Sequence, residues 1–258
     1  MNNLIGLSGY KQSGKDTVYK ILNILKLYGD MPNDDVIKDL NDSDLDRMNL
    51  PWENKKYSYK LKQIICLLTG VSMEELETEE IKNMTVSEYT GMDWSKIEVH
   101  RPYEPTLYFN SIEDLQQSEV MDELFNYSIV DLTFREWMQL IGTECFREII
   151  HPDTWIKSMF VDYKLEDRPT GLTFNDDEVK FKRYPNWMIT DVRFPNEVNA
   201  IKVRDGIIIR VSRGSNDGDK HFSETALDNY NGFDYILDNN GSLNDLINNV
   251  KKMINKLS

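Results

Sequence analysis

The residues best suited to chemistry lie near the start of the sequence, where an apolar segment runs into a glycine-flanked turn. Gly9, four further residues, Gly14 and Lys15 match the spacing G-x-x-x-x-G-K. In this pattern the glycines let backbone N–H groups point at phosphate oxygens, and the lysine reaches the β- and γ-phosphates of a nucleotide. The helix expected after the turn adds its positive N-terminal end. The spacing therefore predicts a phosphate-binding loop.

One position departs from the usual form of this pattern. A Ser or Thr commonly follows the lysine and binds magnesium, whereas this chain has Asp16 and then Thr17. A carboxylate can hold Mg²⁺ directly or through water, and Thr17 offers a hydroxyl one residue further on. We therefore expect Asp16 and Thr17 to be the metal ligands. The competing interpretation is a glycine-rich strand-to-helix turn with a solvated lysine.

A second set of candidates lies on one face of a helix that the sequence predicts over 133–149, after a capping box. At about 100° per residue, Arg135, Gln139 and Gly142 fall on one narrow stripe opposite the apolar face. Thr143 lies at the edge of that stripe. Arginine suits a phosphate, an amide suits a base edge, and glycine leaves room for a ligand to approach the backbone. An ordinary exposed face is the competing interpretation.

A third set follows the short apolar strand predicted over 186–190. In an open parallel sheet the ligand crevice lies outside the carboxyl ends of the strands, so Asp191 and Arg193 should emerge where Lys15 does. The aspartate can orient a phosphate acceptor, serve as a weak base or hold a metal through water, and the arginine can bind a phosphate through two hydrogen bonds. A helix-capping aspartate beside a surface arginine is the alternative.

The order of the predicted elements indicates one α/β domain with a doubly wound parallel sheet flanked by helices. After the first strand, further strands are predicted at 56–59, 186–190, 207–211 and 235–238. A last helix is predicted from Leu243. Three segments fit no such element and are interpreted as insertions in a single domain: 30–47, 84–130 and 165–184.

Two features admit both a structural and a ligand-binding interpretation. Trp155, near the start of another predicted helix, either packs in the core or stacks on a base. The segment 165–184 is predicted to be a hairpin with four basic side chains, which are either solvated or part of a lid over phosphates. The four are Arg168, Lys180, Lys182 and Arg183.

Composition narrows the classes of partner. The chain has 258 residues with 44 acidic against 30 basic side chains and a formal net charge of -14, which disfavours a nucleic-acid partner. Two cysteines, Cys66 and Cys145, and three histidines share no disulfide or zinc-binding pattern. No apolar run is long enough for a membrane span. We expect a cytoplasmic protein without a membrane partner, and a homodimer remains open.

Five segments, taken together and in order, resemble the phage deoxynucleoside monophosphate kinases, a branch of the P-loop monophosphate kinases. They are 9–17, 135–147, 151–155, 190–197, and 221–224 with the Asn-Asn-Gly-Ser turn at 239–242. The resemblance implies a P-loop NTPase fold with a lid, ATP as co-substrate, Mg²⁺ as cofactor and a deoxynucleoside monophosphate as acceptor. For a phage-encoded enzyme the location would be the host cytoplasm.

Carried over position by position, the resemblance assigns the candidate residues. Together with the glycine-rich loop it implies an ATP site of Gly9, Gln12, Ser13, Gly14, Lys15, Asp16, Thr17, Asn240 and Gly241. The monophosphate site would comprise Arg135, Gln139, Gly142, Thr143, Trp155, Asp191, Arg193 and Glu197. Catalytic roles would fall to Lys15, Arg135, Asp191 and Arg193, and metal binding to Asp16 and Thr17.

Two alternatives stay open on the sequence. A kinase of the same fold could act on another small molecule, as dephospho-coenzyme A kinase and phosphomevalonate kinase do. An alcohol acceptor would then give Asp191 a role as general base. The other alternative is a non-catalytic protein that keeps the loop as a nucleotide sensor.

Overall fold

The computed structural model describes residues 3–29, 47–100, 107–109, 114, 126–174, 177–214 and 225–257. The chain divides into two compact units. The first comprises Met1–Ser58 and Asp153–Ser258, and the second comprises Tyr59–Pro152. The expected insertion at 30–47 lies outside the described residues except for its last position, as does the segment 221–224. The expectation of a single domain with insertions stays a prediction.

The described strands and helices are numbered here in chain order. The strands are β1 (Leu4–Ser8), β2 (Glu53–Lys55), β3 (Lys96–His100), β4 (Leu107–Phe109), β5 (Asn126–Val130), β6 (Glu166–Phe174), β7 (Asp177–Arg183), β8 (Trp187–Val192), β9 (Ile207–Ser212) and β10 (Tyr235–Asp238). The helices are α1 (Lys15–Tyr28), α2 (Tyr59–Thr69), α3 (Met73–Glu77), α4 (Glu79–Asn83), α5 (Val86–Thr90), α6 (Phe134–Gln139), a π-helix (Leu140–Ile150), α7 (Thr154–Phe160), α8 (Pro195–Lys202) and α9 (Leu243–Leu257).

The first unit is built on a five-stranded sheet in the order β10-β9-β1-β8-β2, and every neighbouring pair is parallel. β1 is the central strand, and all five of its residues are buried. Its carboxyl end, where the glycine-rich loop begins, is therefore flanked by the carboxyl ends of β8 and β9. This arrangement confirms the predicted doubly wound α/β fold and places the loop where such sheets bind ligands.

Helices cover both faces of this sheet. α1 and α9 pack together on one face, where Ile5 and Leu7 of β1 join their apolar side chains in the core. Gly6 points to the opposite face because successive residues of a strand alternate. A Cβ on Gly6 would lie 2.8 Å from the Cδ1 atom of Ile201, which belongs to α8. The absence of a side chain at Gly6 thus lets α8 lie close to the central strand.

A buried asparagine fixes the chain that leads into β2. Asn23 of α1 is completely buried, and its Oδ1 atom accepts a hydrogen bond of 2.9 Å from the backbone N–H of Trp52. Its amide Nδ2 donates to the carbonyl oxygen of Tyr19 at 3.2 Å. The hydroxyl of Tyr19 in turn donates to the carbonyl oxygen of Trp52 at 3.2 Å. These bonds tie the segment before β2 to α1.

The second unit has its own apolar core. Ile65, Val71, Leu76 and Val86 surround the completely buried Phe134. Its strands form an antiparallel sheet in the order β4-β3-β5. α5 and these three strands occupy the described part of the segment 84–130, for which the sequence predicted no element.

The long helix predicted over 133–149 is present but changes type. The capping box is confirmed, since the hydroxyl of Thr133 accepts from the N–H of Glu136 and the carboxylate of Glu136 accepts from the N–H of Thr133. The α-helix ends at Gln139, and the chain continues as a π-helix. A π-helix has i→i+5 hydrogen bonds and a wider turn. The predicted stripe through Gly142, which assumed about 100° per residue, is therefore wrong beyond Leu140.

Two further local predictions have opposite outcomes. The strand predicted over 56–59 is wrong, because β2 lies earlier and α2 already begins at Tyr59. β2 is a polar, three-residue edge strand paired with β8, so it lacks the apolar alternation that marks a strand. The hairpin predicted over 165–184 is confirmed by the antiparallel pairing of β6 and β7. Its role as a lid stays a prediction.

Among the described residues, none of the helices combines the length and apolar character that crossing a membrane requires.

We predict that Asn23→Ala lowers the free energy of unfolding by about 1–3 kcal/mol, because it removes the buried acceptor of the Trp52 N–H. Urea unfolding followed by tryptophan fluorescence measures this change. The matched control is Asn248→Ala on the exposed side of α9, which should change the free energy by less than about 0.5 kcal/mol. Equal effects of the two substitutions would contradict the role given to Asn23.

Candidate active site

The glycine-rich loop has a backbone that requires its second glycine. Gly14 has a φ of 94°, a left-handed conformation that favours glycine. A Cβ at this position would lie 2.4 Å from the Nδ2 atom of Asn239. Asn239 follows β10, is 6% exposed, and donates through Nδ2 to the carbonyl oxygen of Ser13 at 2.8 Å. The loop is therefore held against the carboxyl end of β10.

The first glycine of the loop is equally constrained. Gly9 has a φ of 156°, and a Cβ there would lie 2.4 Å from the Oγ atom of Ser13 and 2.5 Å from the carbonyl oxygen of Val211. Val211 belongs to β9, so the start of the loop packs against the strand beside β1. Gln12 also has a positive φ of 61°, so the middle of the loop contains a second left-handed residue besides Gly14.

Lys15 lies across this loop. Its Nζ atom donates to the carbonyl oxygens of Gly9 and Tyr10, each at 2.7 Å, and lies 3.5 Å from the Oγ atom of Ser13. Lys15 is also the first residue of α1, whose N-terminus carries partial positive charge. The loop thus combines an ammonium group with a helix N-terminus, as the sequence predicts for a phosphate site.

The two predicted metal ligands follow Lys15 on the first turn of α1. The Asp16 side chain is 71% exposed, and its Oδ1 atom lies 3.2 Å from the Nζ atom of Lys56. Thr17 is half-buried. Lys56 comes directly after β2, so a second ammonium group lies beside the residue that replaces the usual Ser or Thr.

Asp191, the second-to-last residue of β8, anchors a turn of the backbone. Its Oδ1 atom accepts from the N–H of Tyr57 at 2.8 Å, and its Oδ2 atom accepts from the N–H and the hydroxyl of Ser58 at 3.0 and 2.8 Å. These two residues immediately precede α2. The sequence allowed a helix-capping role for Asp191 as the alternative to a role in binding. The carboxylate does bind the backbone just before a helix, but that helix lies far away along the chain.

Glu197 performs the same kind of task for the loop that carries Arg193. Its side chain is 1% exposed, and Oε2 accepts from the N–H of Arg193 at 2.7 Å and from the N–H of Phe194 at 3.1 Å. Both bonds tie the end of β8 to the first turn of α8. The side chain of Arg193 is exposed at this edge of the sheet.

Trp155 lies in α7 of the first unit and is 4% exposed. Of the two interpretations that the sequence allowed, burial favours core packing over stacking on a base.

The candidates of the second unit have protein neighbours of their own. Arg135 donates through Nη2 to the Oε2 atom of Glu79 at 2.7 Å and through Nε to the Oδ1 atom of Asn83 at 3.4 Å. Gly142 is buried, and a Cβ there would lie 2.8 Å from the Cδ2 atom of Leu61. The space that the sequence analysis left for a ligand at Gly142 is thus filled by a leucine of α2. Gln139 is exposed and Thr143 half-buried.

The turn after β10 shows which residue sequence reasoning missed. Asn240 accepts from the N–H of Gly214 at 2.7 Å, and a Cβ on Gly241 would lie 2.6 Å from the Oδ2 atom of Asp245. The hydrogen bonds from Ser242 hold the pKa of the Asp245 carboxyl below its ordinary value. The residue that reaches the phosphate loop is Asn239. An asparagine directly after a predicted strand was the available signal.

The chain matches, over residues 3–250, the model of a family described as deoxynucleotide monophosphate kinase. The deoxynucleotide monophosphate kinase of Escherichia phage RB69 is 24% identical over 273 residues, which cover 97% of this chain and 99% of that protein. The deoxynucleotide monophosphate kinase of Enterobacteria phage T4 is 23% identical over 277 residues, with 98% and 99% covered.

The family match spans nearly the whole chain and includes both units. It selects among the functions that the sequence allowed, since it favours the nucleotide kinase over other small-molecule kinases and over a nucleotide sensor. With that match and a glycine-rich loop at the carboxyl end of the central strand of a parallel sheet, this chain belongs to the deoxynucleotide monophosphate kinase family, a family of ATP-using phosphotransferases.

Proposed function

We propose that the chain transfers the γ-phosphoryl group of ATP to the 5′-phosphate of a deoxynucleoside monophosphate, giving the deoxynucleoside diphosphate and ADP, in the cytoplasm. The observation that carries this proposal is the position of Lys15. Its ammonium group lies 2.7 Å from two carbonyl oxygens of the loop, Gly9 O and Tyr10 O, above the backbone that would cradle the phosphates. Asn240 and Gly241 are proposed to lie near the adenine.

The acceptor in this reaction is already an anion, so the bond-forming step needs no strong general base. Catalysis then rests on positioning and on neutralisation of charge by Lys15, Arg135 and Arg193. The three hydrogen bonds of the Asp191 carboxylate support a positioning role for this residue rather than proton abstraction. Glu197 is likewise proposed to position Arg193, because its carboxylate accepts a hydrogen bond from the backbone N–H of Arg193.

The remaining candidates for the monophosphate site are given roles that fit their side chains and their burial. Gln139 is exposed and offers an amide for a base edge, and Thr143 offers a hydroxyl. Gly142 and Trp155 are buried, so we propose that they shape the site through packing. Each of these roles remains a proposal.

Magnesium fits the residues at the start of α1. Mg²⁺ prefers hard oxygen ligands and is commonly held by one or two protein groups together with substrate phosphates. Asp16 supplies a carboxylate and Thr17 a hydroxyl, and both could hold the ion directly or through water. When bound, the ion would supply charge neutralisation to the phosphates. Lys56, 3.2 Å from Asp16, lies where it can balance the carboxylate in the absence of metal.

The first test is ADP release in a coupled assay with ATP, Mg²⁺ and a panel of deoxynucleoside and ribonucleoside monophosphates. We expect turnover with at least one deoxynucleotide, and Lys15→Ala should lower kcat by roughly 10²- to 10³-fold because it removes a preorganised donor. The matched control is Lys26→Ala in the last turn of the same helix, which should leave kcat unchanged. ATP binding without turnover on any monophosphate would overturn the proposed reaction.

A second prediction concerns the two arginines, each taken separately. An arginine that acts on the transferring phosphoryl group contributes roughly 10³ to 10⁵ in rate, so Arg193→Ala and Arg135→Ala should each cause a large loss of kcat. Circular dichroism should show unchanged secondary structure in both variants. Arg47→Ala, at an exposed position, serves as the control. Near-native kcat in either variant would remove that arginine from the proposed mechanism.

A further inference from the structure

Tyr10, the second residue of the phosphate loop, makes hydrogen bonds through both its side chain and its backbone. Its hydroxyl donates to the Oδ1 atom of Asp228 at 2.8 Å. Its backbone carbonyl oxygen accepts from the Nζ atom of Lys15 at 2.7 Å. One residue therefore joins the ammonium group of the active site to a carboxylate more than 200 positions away along the chain.

Arg210 of β9 completes this group of side chains. Its Nη1 atom donates to the Oγ atom of Ser8 at 3.0 Å, and its Nη2 atom lies 3.3 Å from the Oδ1 atom of Asp228. The guanidinium also lies 4.8 Å from the centre of the Tyr10 ring. Ser8 is the last residue of β1 before the loop. Arg210 thus contacts the strand that enters the loop, the Tyr10 ring and the carboxylate that binds Tyr10.

The carboxylate belongs to a segment that is fixed on the sheet. Leu227, next to Asp228, is 2% exposed. Further along, the N–H of Asp234 donates to the carbonyl oxygen of Ile208 at 2.9 Å, and Asp234 Oδ2 accepts from the N–H of Ile208 at 2.6 Å. Because the segment that follows Asp228 is anchored to β9 through Asp234, Asp228 offers Tyr10 an acceptor at a defined position.

One part of the Tyr10 side chain faces open space. A cavity of about 320 Å³ lies beside it, lined also by Arg210, Asp228 and Tyr230. With open space on this part of the side chain, the bond to Asp228 and the Arg210 guanidinium over the ring are the contacts that restrain it. That bond is also the largest cause of a raised pKa of Tyr10.

We propose that Tyr10 is a positioning residue for phosphoryl transfer: its bond to Asp228, with Arg210 packed on the ring, fixes the loop carbonyl that holds Lys15 at the phosphate site. The proposal rests on the role given to Lys15 in the proposed function. It adds three residues, Tyr10, Arg210 and Asp228, that act through the loop and do not touch the substrate.

The test is Tyr10→Phe, which removes the hydroxyl and keeps the ring beside Arg210. We expect kcat/KM for ATP to fall about tenfold, the effect of losing one hydrogen bond to a charged group. The KM for the monophosphate and the thermal midpoint should not change, because the loop contacts ATP and the fold is intact. The matched control is Tyr230→Phe, which removes a hydroxyl from another tyrosine that lines the same cavity. This variant should keep kcat/KM within about twofold of the value for the unchanged protein.

A second variant makes the assignment specific. If Tyr10 acts through Asp228, the double variant Tyr10→Phe with Asp228→Ala should lose no more kcat/KM than Asp228→Ala alone. Additive losses would overturn the proposed link. An unchanged kcat/KM in Tyr10→Phe would also overturn it. So would a lower thermal midpoint with an unchanged KM for ATP, because that combination indicates a purely structural role.

Failure of this inference can be told from failure of the proposed reaction. Titration with a fluorescent ATP analogue measures nucleotide affinity without any turnover, and Lys15→Ala in the same titration reports the contribution of the lysine. If Tyr10→Phe and Lys15→Ala both bind the ATP analogue more weakly than the unchanged protein, the link between Tyr10 and Lys15 is supported even where no monophosphate is converted. Binding unchanged in Tyr10→Phe but weakened in Lys15→Ala would overturn it.

Discussion

The hydrogen bond from Asn239 to the carbonyl oxygen of Ser13 is the contact on which the shape of the glycine-rich loop depends. It fixes the last turn of the phosphate loop, and the Asn239 amide lies so close to Gly14 that only a residue without a Cβ fits. With Gly14 left-handed, α1 can begin at Lys15 and point its N-terminus across the loop. Residues at the two ends of the sequence therefore have to meet in the folded sheet before the loop has its shape.

Two carboxylates, the buried Glu197 and the half-buried Asp191, hold the backbone at the carboxyl end of β8. An ionised carboxylate is costly to remove from water unless it is hydrogen-bonded. Glu197 accepts from two backbone N–H groups and Asp191 from two N–H groups and a hydroxyl. Each carboxylate thereby fixes a stretch of backbone, and one of these carries Arg193. The cationic group is exposed, whereas the backbone that presents it is held in place, which is the preorganisation that the phosphate-binding role proposed for Arg193 requires.

Much of the first unit could be predicted from sequence because its buried parallel strands are nearly continuous apolar runs. Capping boxes, which are local, were equally visible. The missed features depend on tertiary contacts. β2 is polar and exists through its pairing with β8, and Gly142 is explained by Leu61, which lies far from it in sequence. The change to a π-helix at Leu140 has no signal in helical periodicity, so the polar stripe extended to Gly142 was wrong, although Ile141 packs on the apolar side as predicted.

The charge of the chain and the charge of its substrates have to be reconciled. A protein with a net charge of -14 repels polyanions at long range, yet only the local field matters within a few ångströms of a site. Three described acidic groups near the carboxyl edge of the sheet are offset by donors: Asp16 by Lys56, Glu197 by backbone N–H groups, and Asp228 by Tyr10 and Arg210. These contacts therefore also reduce the negative potential where phosphates would bind.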